Sequence, residues 1–192
     1  MRSDRDEEGP GRITVHGASG SGKTRLARLL AESLGVESVE LDSLFHQAEW
    51  TPVDPEIFRS QVAAIAASER WVVEGNYQAV RELLWARAEL IVVIDLPRWL
   101  VMVQLSRRTL TRMLAGTVLW NGNRERLRNL VSTDEEKNIL LWSWRTHGRF
   151  RVQLPEEAAR SGADVVVLSS RRKIDRFVAS LPGDRGLAPR AL

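Results

Sequence analysis

A glycine-rich segment near the start of the chain has the residue types and spacing that bind a chain of phosphates. It matches the pattern G-x-x-x-x-G-K-[ST] over residues 17–24. Glycines allow successive backbone N–H groups to converge on phosphate oxygens, and a helix that starts there adds its positive dipole end. The lysine is expected to reach the β- and γ-phosphates, and the threonine hydroxyl to ligate Mg²⁺. The predicted binding residues for ATP are Gly17, Ala18, Ser19, Gly20, Ser21, Gly22, Lys23, Thr24 and Arg25.

Acidic residues follow three predicted strands. Asp42 follows the second strand, Glu74 the third and Asp95 the fourth. Ligands of an open parallel sheet lie beyond the carboxyl ends of its strands, so these side chains are expected near the phosphates. Asp42 is the expected partner of an acceptor hydroxyl, and Glu74 and Asp95 are alternative supports for Mg²⁺ beside Thr24. Acidic residues at such junctions also cap helices, and this alternative is strongest for Asp95, which precedes Leu96-Pro97.

Arginines cluster between the fourth and fifth predicted strands. Residues 104–131 contain six arginines and a single acidic residue. Guanidinium groups neutralise the charge of a migrating phosphoryl group, which favours an arginine-rich lid over residues 104–150. Solvated helix faces are the alternative interpretation, and a polyanionic partner such as nucleic acid is possible but not favoured. The arginines that repeat an i,i+4 spacing, and are predicted to stabilise transferred charge, are Arg108, Arg112, Arg145 and Arg149.

Composition excludes several classes of protein. The chain has 192 residues, 28 basic and 25 acidic residues, 43% hydrophobic residues and no cysteine. These values are typical of one globular domain and argue against disordered, collagen-like and disulfide-stapled chains. No apolar run approaches the roughly 20 residues that span a membrane. We therefore expect a cytoplasmic monomer or homodimer, with a domain at residues 12–181 between disordered tails at 1–11 and 182–192.

Short apolar runs alternate with helical patterns along this domain. Helices are predicted at 23–34, 55–68, 97–114, 135–144 and 171–181, and strands at 13–17, 39–41, 71–73, 90–94 and 164–168. Alternation of this kind implies right-handed crossovers and a parallel sheet that is covered on both faces. The predicted fold is a three-layered α/β fold in which the fourth and fifth strands are buried.

Histidine and tryptophan provide fewer predictions. The three histidines have no ligand spacing, so a structural zinc is not expected. His46 is a candidate for the acceptor pocket, and His16 is expected to be packed. Among the seven tryptophans, Trp50 is the candidate acceptor contact, and the others are expected to pack in the core or at an interface.

The motifs together resemble a known family. Besides the phosphate-binding loop, the motifs are Leu41-Asp42 with Trp50, residues 71–77 (WVVEGNY), residues 95–99 (DLPRW) and Trp142-x-Trp144-Arg145. This set is similar to the adenylate-kinase-related P-loop proteins known as DNA topology modulation proteins, and it covers residues 12–181. The resemblance implies a P-loop NTPase fold of the nucleoside-monophosphate-kinase type, with a five-stranded parallel sheet in the order second, third, first, fourth, fifth.

The acceptor is not identified by the resemblance. Adenylate kinases carry D-G-[FY]-P-R where this chain has Glu74-Gly75-Asn76-Tyr77, and the glycine triplet of shikimate kinases is absent. The favoured function is ATP- and Mg²⁺-dependent phosphoryl transfer, with Lys23 as a catalytic residue, to a small hydroxyl- or phosphate-bearing acceptor. The alternative is a nucleotide-gated regulatory protein that binds DNA or a protein partner and has weak ATPase activity.

Overall fold

The computed structural model describes residues 9–124 and 138–181, and of Arg149 only the backbone. Its strands are β1 (Arg12–Gly17), β2 (Ser38–Glu40), β3 (Trp71–Glu74), β4 (Leu90–Ile94) and β5 (Asp164–Leu168). Its helices are α1 (Lys23–Leu34), α2 (Leu41–Phe45), α3 (Pro55–Ala67), α4 (Gln78–Trp85), α5 (Arg98–Leu114), α6 (Ile139–Ala158) and α7 (Arg171–Ala179), with 3₁₀ turns at Ala48–Trp50 and Trp120–Gly122. The predicted tail residues 1–8 and 182–192 lie outside the described residues.

The strands form one parallel sheet in the order β2-β3-β1-β4-β5. Both the α/β class and the strand order are confirmed. Alternate residues of β1, β3 and β4 point to opposite faces, and each face is covered by its own apolar core. Helices α1, α5 and α7 contribute to one core, while α3, α4 and α6 contribute to the other. The result is a three-layered domain with its central strands buried on both sides.

The prediction that β5 is buried was wrong. This strand pairs only with β4 among the described residues and forms an edge of the sheet. Its burial is partial, and Val167 is exposed. A continuous apolar run therefore indicates a strand, but only the strand order determines whether both of its faces are covered.

Helix α6 is longer than its sequence pattern predicts. It begins at Ile139 and continues to Ala158, with Pro155 inside it, whereas the pattern predicts an end at Trp144. Leu154 and Ala158 near its end are fully buried against the sheet. Their burial stabilises the last turns of a segment in which arginines and an internal proline weaken the helical pattern. The short helices α2 and α4 were not predicted.

The loop between β1 and α1 depends on close packing against α5. A methyl group added to Gly20 would lie 2.8 Å from Leu105 Cβ and 3.0 Å from the Val101 carbonyl oxygen. Gly20 also has a positive φ of 87°, which disfavours side chains. Helix α5 therefore fixes the path of this loop, and the absence of a side chain at Gly20 permits the contact.

Replacing Gly20 with alanine should destabilise the protein more than the same change at Gly162. Gly162 has a similar φ of 84°, but nothing lies within 4 Å of an added methyl group there. We expect Gly162→Ala to lower the free energy of unfolding by about 1 kcal/mol, and Gly20→Ala by about 2–4 kcal/mol. Denaturant unfolding measures both values. Equal losses would show that backbone conformation, and not contact with α5, determines the cost.

No helix in the described ranges is long and apolar enough to cross a membrane.

Candidate active site

Glu74 joins the two reactive side chains of the phosphate-binding loop. Lys23, the first residue of α1, is buried and places its Nζ 3.6 Å from Glu74 Oε2. The Thr24 hydroxyl donates a 2.8 Å hydrogen bond to Glu74 Oε1. Strand β3 lies next to β1, so the end of β3 holds this carboxylate beside the loop. An ammonium, a hydroxyl and a carboxylate thus meet at the carboxyl edge of the sheet.

The carboxyl group of Glu74 is only 2% exposed. Burial raises its pKa, and the negative charges of Asp42 and Glu40 act in the same direction. Lys23 and the hydrogen bond from Thr24 oppose this increase. Its Oε2 atom accepts no hydrogen bond within the described structure. One buried oxygen is thus available for a further positively polarised group.

Asp42 lies on the same edge, in the first turn of α2. The Tyr77 hydroxyl donates a 2.8 Å hydrogen bond to Asp42 Oδ1, and the same hydroxyl lies 3.5 Å from His46 Nε2. Burial raises the pKa of Tyr77, as does the charge of Asp42. Tyr77 therefore stays a hydrogen-bond donor and orients the Asp42 carboxylate. Sequence reasoning assigned no role to Tyr77, although it belongs to the Glu74-Gly75-Asn76-Tyr77 motif.

Asp95 follows β4 and faces helix α6. Its Oδ2 lies 3.4 Å from Arg151 Nε. Burial raises the pKa of Asp95, whereas Arg151 and His147 lower it. The His147 ring is buried and lies with Nε2 2.9 Å from the Leu96 carbonyl oxygen. Asp95 thus has a structural partner on α6, while the Thr24 hydroxyl is bonded to Glu74.

Two residues that sequence reasoning left without a chemical role, Asn76 and His16, connect the end of β1 to the segment that follows β3. Asn76 donates a 2.7 Å hydrogen bond to the Gly17 carbonyl and accepts a 3.3 Å bond from the Gly17 N–H. The buried His16 ring accepts a 2.9 Å bond from Trp85 Nε1 at its Nε2. Its Nδ1 therefore carries the proton and donates to the Gly75 carbonyl at 2.6 Å. His16 is packed, as predicted.

Acidification should lower the stability of the folded protein, because the His16 ring is buried in its neutral form. Burial lowers its pKa from 6.5 to about 4. Between these values the unfolded chain binds a proton that the folded protein does not, so stability falls as pH decreases from 6.5 to about 4. We expect His16 to lower the free energy of unfolding by about 3 kcal/mol over this pH range. The effect is measured as the difference between wild type and His16→Gln in denaturant unfolding. The difference isolates His16, because Glu74, whose raised pKa has the opposite effect, is present in both proteins. Identical pH profiles of the two proteins would contradict the assignment.

The segment after α5 is attached to the segment after α2. Asn121 Nδ2 donates to the His46 carbonyl at 2.6 Å, and Asn123 Nδ2 to the Gln47 carbonyl at 2.8 Å. The Trp50 N–H donates to Asn123 Oδ1 at 2.9 Å. The rings of His46, Trp50 and Trp120 lie together, with centroids 5.3–6.4 Å apart. The predicted acceptor contact Trp50 is therefore in this aromatic group.

The predicted arginines occupy two helices. Arg108 and Arg112 are half-buried on α5, and Arg145 is exposed on α6. Ser143 on α6 donates to the Ser19 carbonyl at 3.4 Å, so this helix reaches the phosphate-binding loop. Arg25 is exposed on α1. The side chain of Arg149 and residues 125–137 of the predicted lid lie outside the described structure.

Two of the remaining tryptophans lie on the surface and not in the core. Trp99 and Trp144 are 68% and 51% exposed. Trp99 is on the outer side of α5, and Arg98 lies over the Trp144 ring at 4.9 Å. The helical pattern indicated their helices, but not which side of each helix faces solvent.

Comparison with known proteins identifies the fold. A shikimate kinase from Bacteroides thetaiotaomicron matches with a TM-score of 0.52 and 16% identity, over 88% of this chain and 95% of that one. Shikimate kinase from Acinetobacter baumannii in complex with shikimate matches with a TM-score of 0.51 and 17% identity, over 92% and 93%. No family model matches the chain, and no curated protein matches it significantly. The resemblance to DNA topology modulation proteins stays a prediction. The chain has the three-layered P-loop fold found in these small kinases.

Proposed function

We propose that this protein is a kinase that transfers the γ-phosphoryl group of ATP to a hydroxyl group of a small molecule. The observation that supports it best is that Lys23 and Thr24 converge on Glu74, with Asp42 held by Tyr77 on the same edge. One side of this edge has the groups that bind phosphates, and the other has a carboxylate that can bind a hydroxyl. The fold, shared with small P-loop kinases, agrees with this function.

In the proposed reaction, Asp42 accepts a hydrogen bond from the acceptor hydroxyl and takes up its proton. A new bond forms between the acceptor oxygen and the γ-phosphorus, while the bond from that phosphorus to the bridging oxygen breaks and ADP leaves. Lys23 and the backbone N–H groups of the loop stabilise the phosphate charge. Arg108, Arg112, Arg145 and Arg149 are proposed to neutralise the migrating group, and closure of their segments would exclude water.

The residues at the loop fit magnesium. Mg²⁺ prefers oxygen ligands and keeps several waters, so that one or two protein oxygens suffice. Thr24 Oγ1 and the unbonded Oε2 of Glu74 provide such oxygens at the loop. We propose that Thr24 and Glu74 would hold the ion, which would supply charge neutralisation, and that Asp95 serves the packing of α6.

This assignment predicts that Glu74→Gln and Asp95→Asn behave differently. We expect Glu74→Gln to raise the magnesium concentration for half-maximal turnover by about 10–100-fold, because a carboxylate near the ion is lost. Asp95→Asn should leave that concentration unchanged and lower thermal stability, because it removes a partner of Arg151. Magnesium titrations of ADP release measure the first effect. The opposite result would assign the metal to Asp95.

The proposed activity is tested by ADP release from ATP and magnesium with a panel of acceptors. The panel contains nucleosides, nucleoside monophosphates, sugars and aminoglycosides, and product phosphate esters are identified by mass spectrometry. Stimulated ADP release with a matching ester supports a kinase. Binding of ATP without turnover on any acceptor, or release of inorganic phosphate alone, would contradict it.

A second candidate is a regulatory protein that binds a macromolecule. The observation in its favour is an apolar stripe on the outer side of α5, where four exposed residues recur at helical spacing: Trp99, Val103, Leu110 and Leu114. Exposed apolar surface of this kind often marks a binding site. Nucleotide-dependent DNA binding with a steep decrease as salt rises would favour DNA as the partner.

A further inference from the structure

The residues around Asp42 combine negative charge with aromatic side chains. We call the group of Asp42, His46, Trp50, Tyr77 and Trp120 the acceptor wall. The Tyr77 hydroxyl donates to Asp42 Oδ1 and lies 3.5 Å from His46 Nε2. The ring centroids of Trp50 and Trp120 lie 5.3 and 6.4 Å from that of His46. The His46 and Trp120 rings are nearly parallel, at 21°. The wall therefore combines a carboxylate with flat aromatic surface.

The electrostatic environment of this wall is negative. Glu40, at the end of β2, accepts a 3.2 Å hydrogen bond from Trp120 Nε1 and pairs with Arg28. Glu74, the next carboxylate on this edge, lies with its Oε2 3.6 Å from Lys23 Nζ. Lys23 lies on the phosphate-binding loop, so its charge serves the nucleotide side of the site.

Histidine adds no positive charge to the wall at neutral pH. Burial lowers the pKa of His46 below 6.5, and the opposing effect of Asp42 does not restore it. Its ring is therefore neutral near pH 7 and contributes aromatic surface and a hydrogen-bonding nitrogen. Tyr77 likewise stays a neutral phenol. Within the acceptor wall, nothing balances the charge of an anionic ligand.

We infer that the acceptor is a hydroxyl-bearing ring compound without negative charge, either neutral or carrying an amine. A hydroxyl of such a molecule can donate to Asp42 while its ring lies against Trp50 and Trp120, and an amine gains from both the carboxylates and the aromatic faces. A carboxylate or phosphate on the same molecule would lie close to Asp42 without a counter-charge in the wall. This inference rests on the proposed kinase function and narrows its substrate class.

Matched acceptors test the inference. One set is glucose, glucosamine and glucuronate, and a second is adenosine and AMP, so that charge changes while the ring is kept. We expect turnover or binding to favour the neutral or amine-bearing member of at least one set by about 100-fold over the anionic member. Binding is followed by tryptophan fluorescence with a non-hydrolysable ATP analogue and magnesium, and turnover by ADP release.

A charge introduced into the wall provides a second test. Trp50→Arg should increase relative affinity for AMP and glucuronate by about tenfold, because it supplies the missing cation. Trp99→Arg, on the outer side of α5, is the matched control and should leave the preference unchanged. Circular dichroism verifies that both variants are folded. If Trp50→Arg does not fold, Trp120→Arg introduces the same charge at the neighbouring ring of the wall.

The outcomes separate this inference from the proposed function. Preference of the wild-type protein for AMP or glucuronate, in binding or in turnover, would overturn the inference and leave the kinase assignment intact. Equal affinity for the anionic members and the other members would overturn it as well. Preferential binding of the neutral or amine-bearing members without any phosphate ester would support the acceptor class and contradict the kinase function.

Discussion

Replacing Lys23 with methionine should reduce phosphoryl transfer by about three orders of magnitude. Methionine has a similar length and fills the same buried space at the start of α1, but it has no charge. The lost ammonium is the group expected between the β- and γ-phosphates, where negative charge builds during transfer. ADP release with a responsive acceptor measures the effect. Lys173→Met, an exposed change on α7, is the matched control and should keep full activity.

Stability must be separated from catalysis in this experiment, because Lys23 also lies beside the buried carboxyl of Glu74. Removing the lysine raises the pKa of Glu74 further, and an uncompensated buried charge costs about 3 kcal/mol or leads to uptake of a proton. The double variant Lys23→Met/Glu74→Gln removes both charges. It should regain stability in thermal unfolding without regaining turnover. Recovery of turnover in the double variant would show that Lys23 acts only through Glu74.

Asp42→Asn should reduce acceptor-dependent turnover by about 10²–10⁴-fold. Asparagine keeps the shape of the side chain and can still accept the hydrogen bond from Tyr77, but it cannot take up the proton of an acceptor hydroxyl. The affinity for ATP, measured by calorimetry, should stay unchanged because the phosphate-binding loop is intact. ADP release with and without acceptor measures the catalytic loss.

Asp175→Asn is the matched control for this variant, since Asp175 is exposed on α7. It should behave as the wild type does in both assays. If Asp42→Asn lowers ATP affinity and acceptor turnover equally, Asp42 belongs to the nucleotide side of the site. If it changes neither, another group accepts the proton.

Local patterns in the sequence predict the position of the glycine-rich loop well. The glycine spacing and the Lys23-Thr24 pair are contiguous, and the strand before them and the helix after them follow from hydrophobic period alone. The structure places this loop between β1 and α1, as expected. The cap of α3 was also predictable, because Asp54 and Pro55 stand directly before a helical pattern. In the structure the Asp54 side chain accepts from the backbone N–H groups of Glu56 and Ile57.

Contacts between distant segments were not predictable in the same way. Sequence alone left both Glu74 and Asp95 as candidates beside Thr24, because both follow strands that flank β1. The hydrogen bond from Thr24 to Glu74 and the ion pair of Asp95 with Arg151 are the contacts on which our proposal for Glu74 rests, and both depend on how α1 and α6 pack. The roles of Asn76 and Tyr77 are hidden for the same reason.

By itself, the sequence determined the phosphate-binding loop, the α/β class and most of the helices and strands, because each depends on residues that are neighbours along the chain. Tertiary structure alone decided that β5 is an edge strand, that α6 extends to Ala158 and that Tyr77 orients Asp42. Each of these features depends on which segments cover one another, and burial and hydrogen bonding between distant residues exist only after the sheet has assembled.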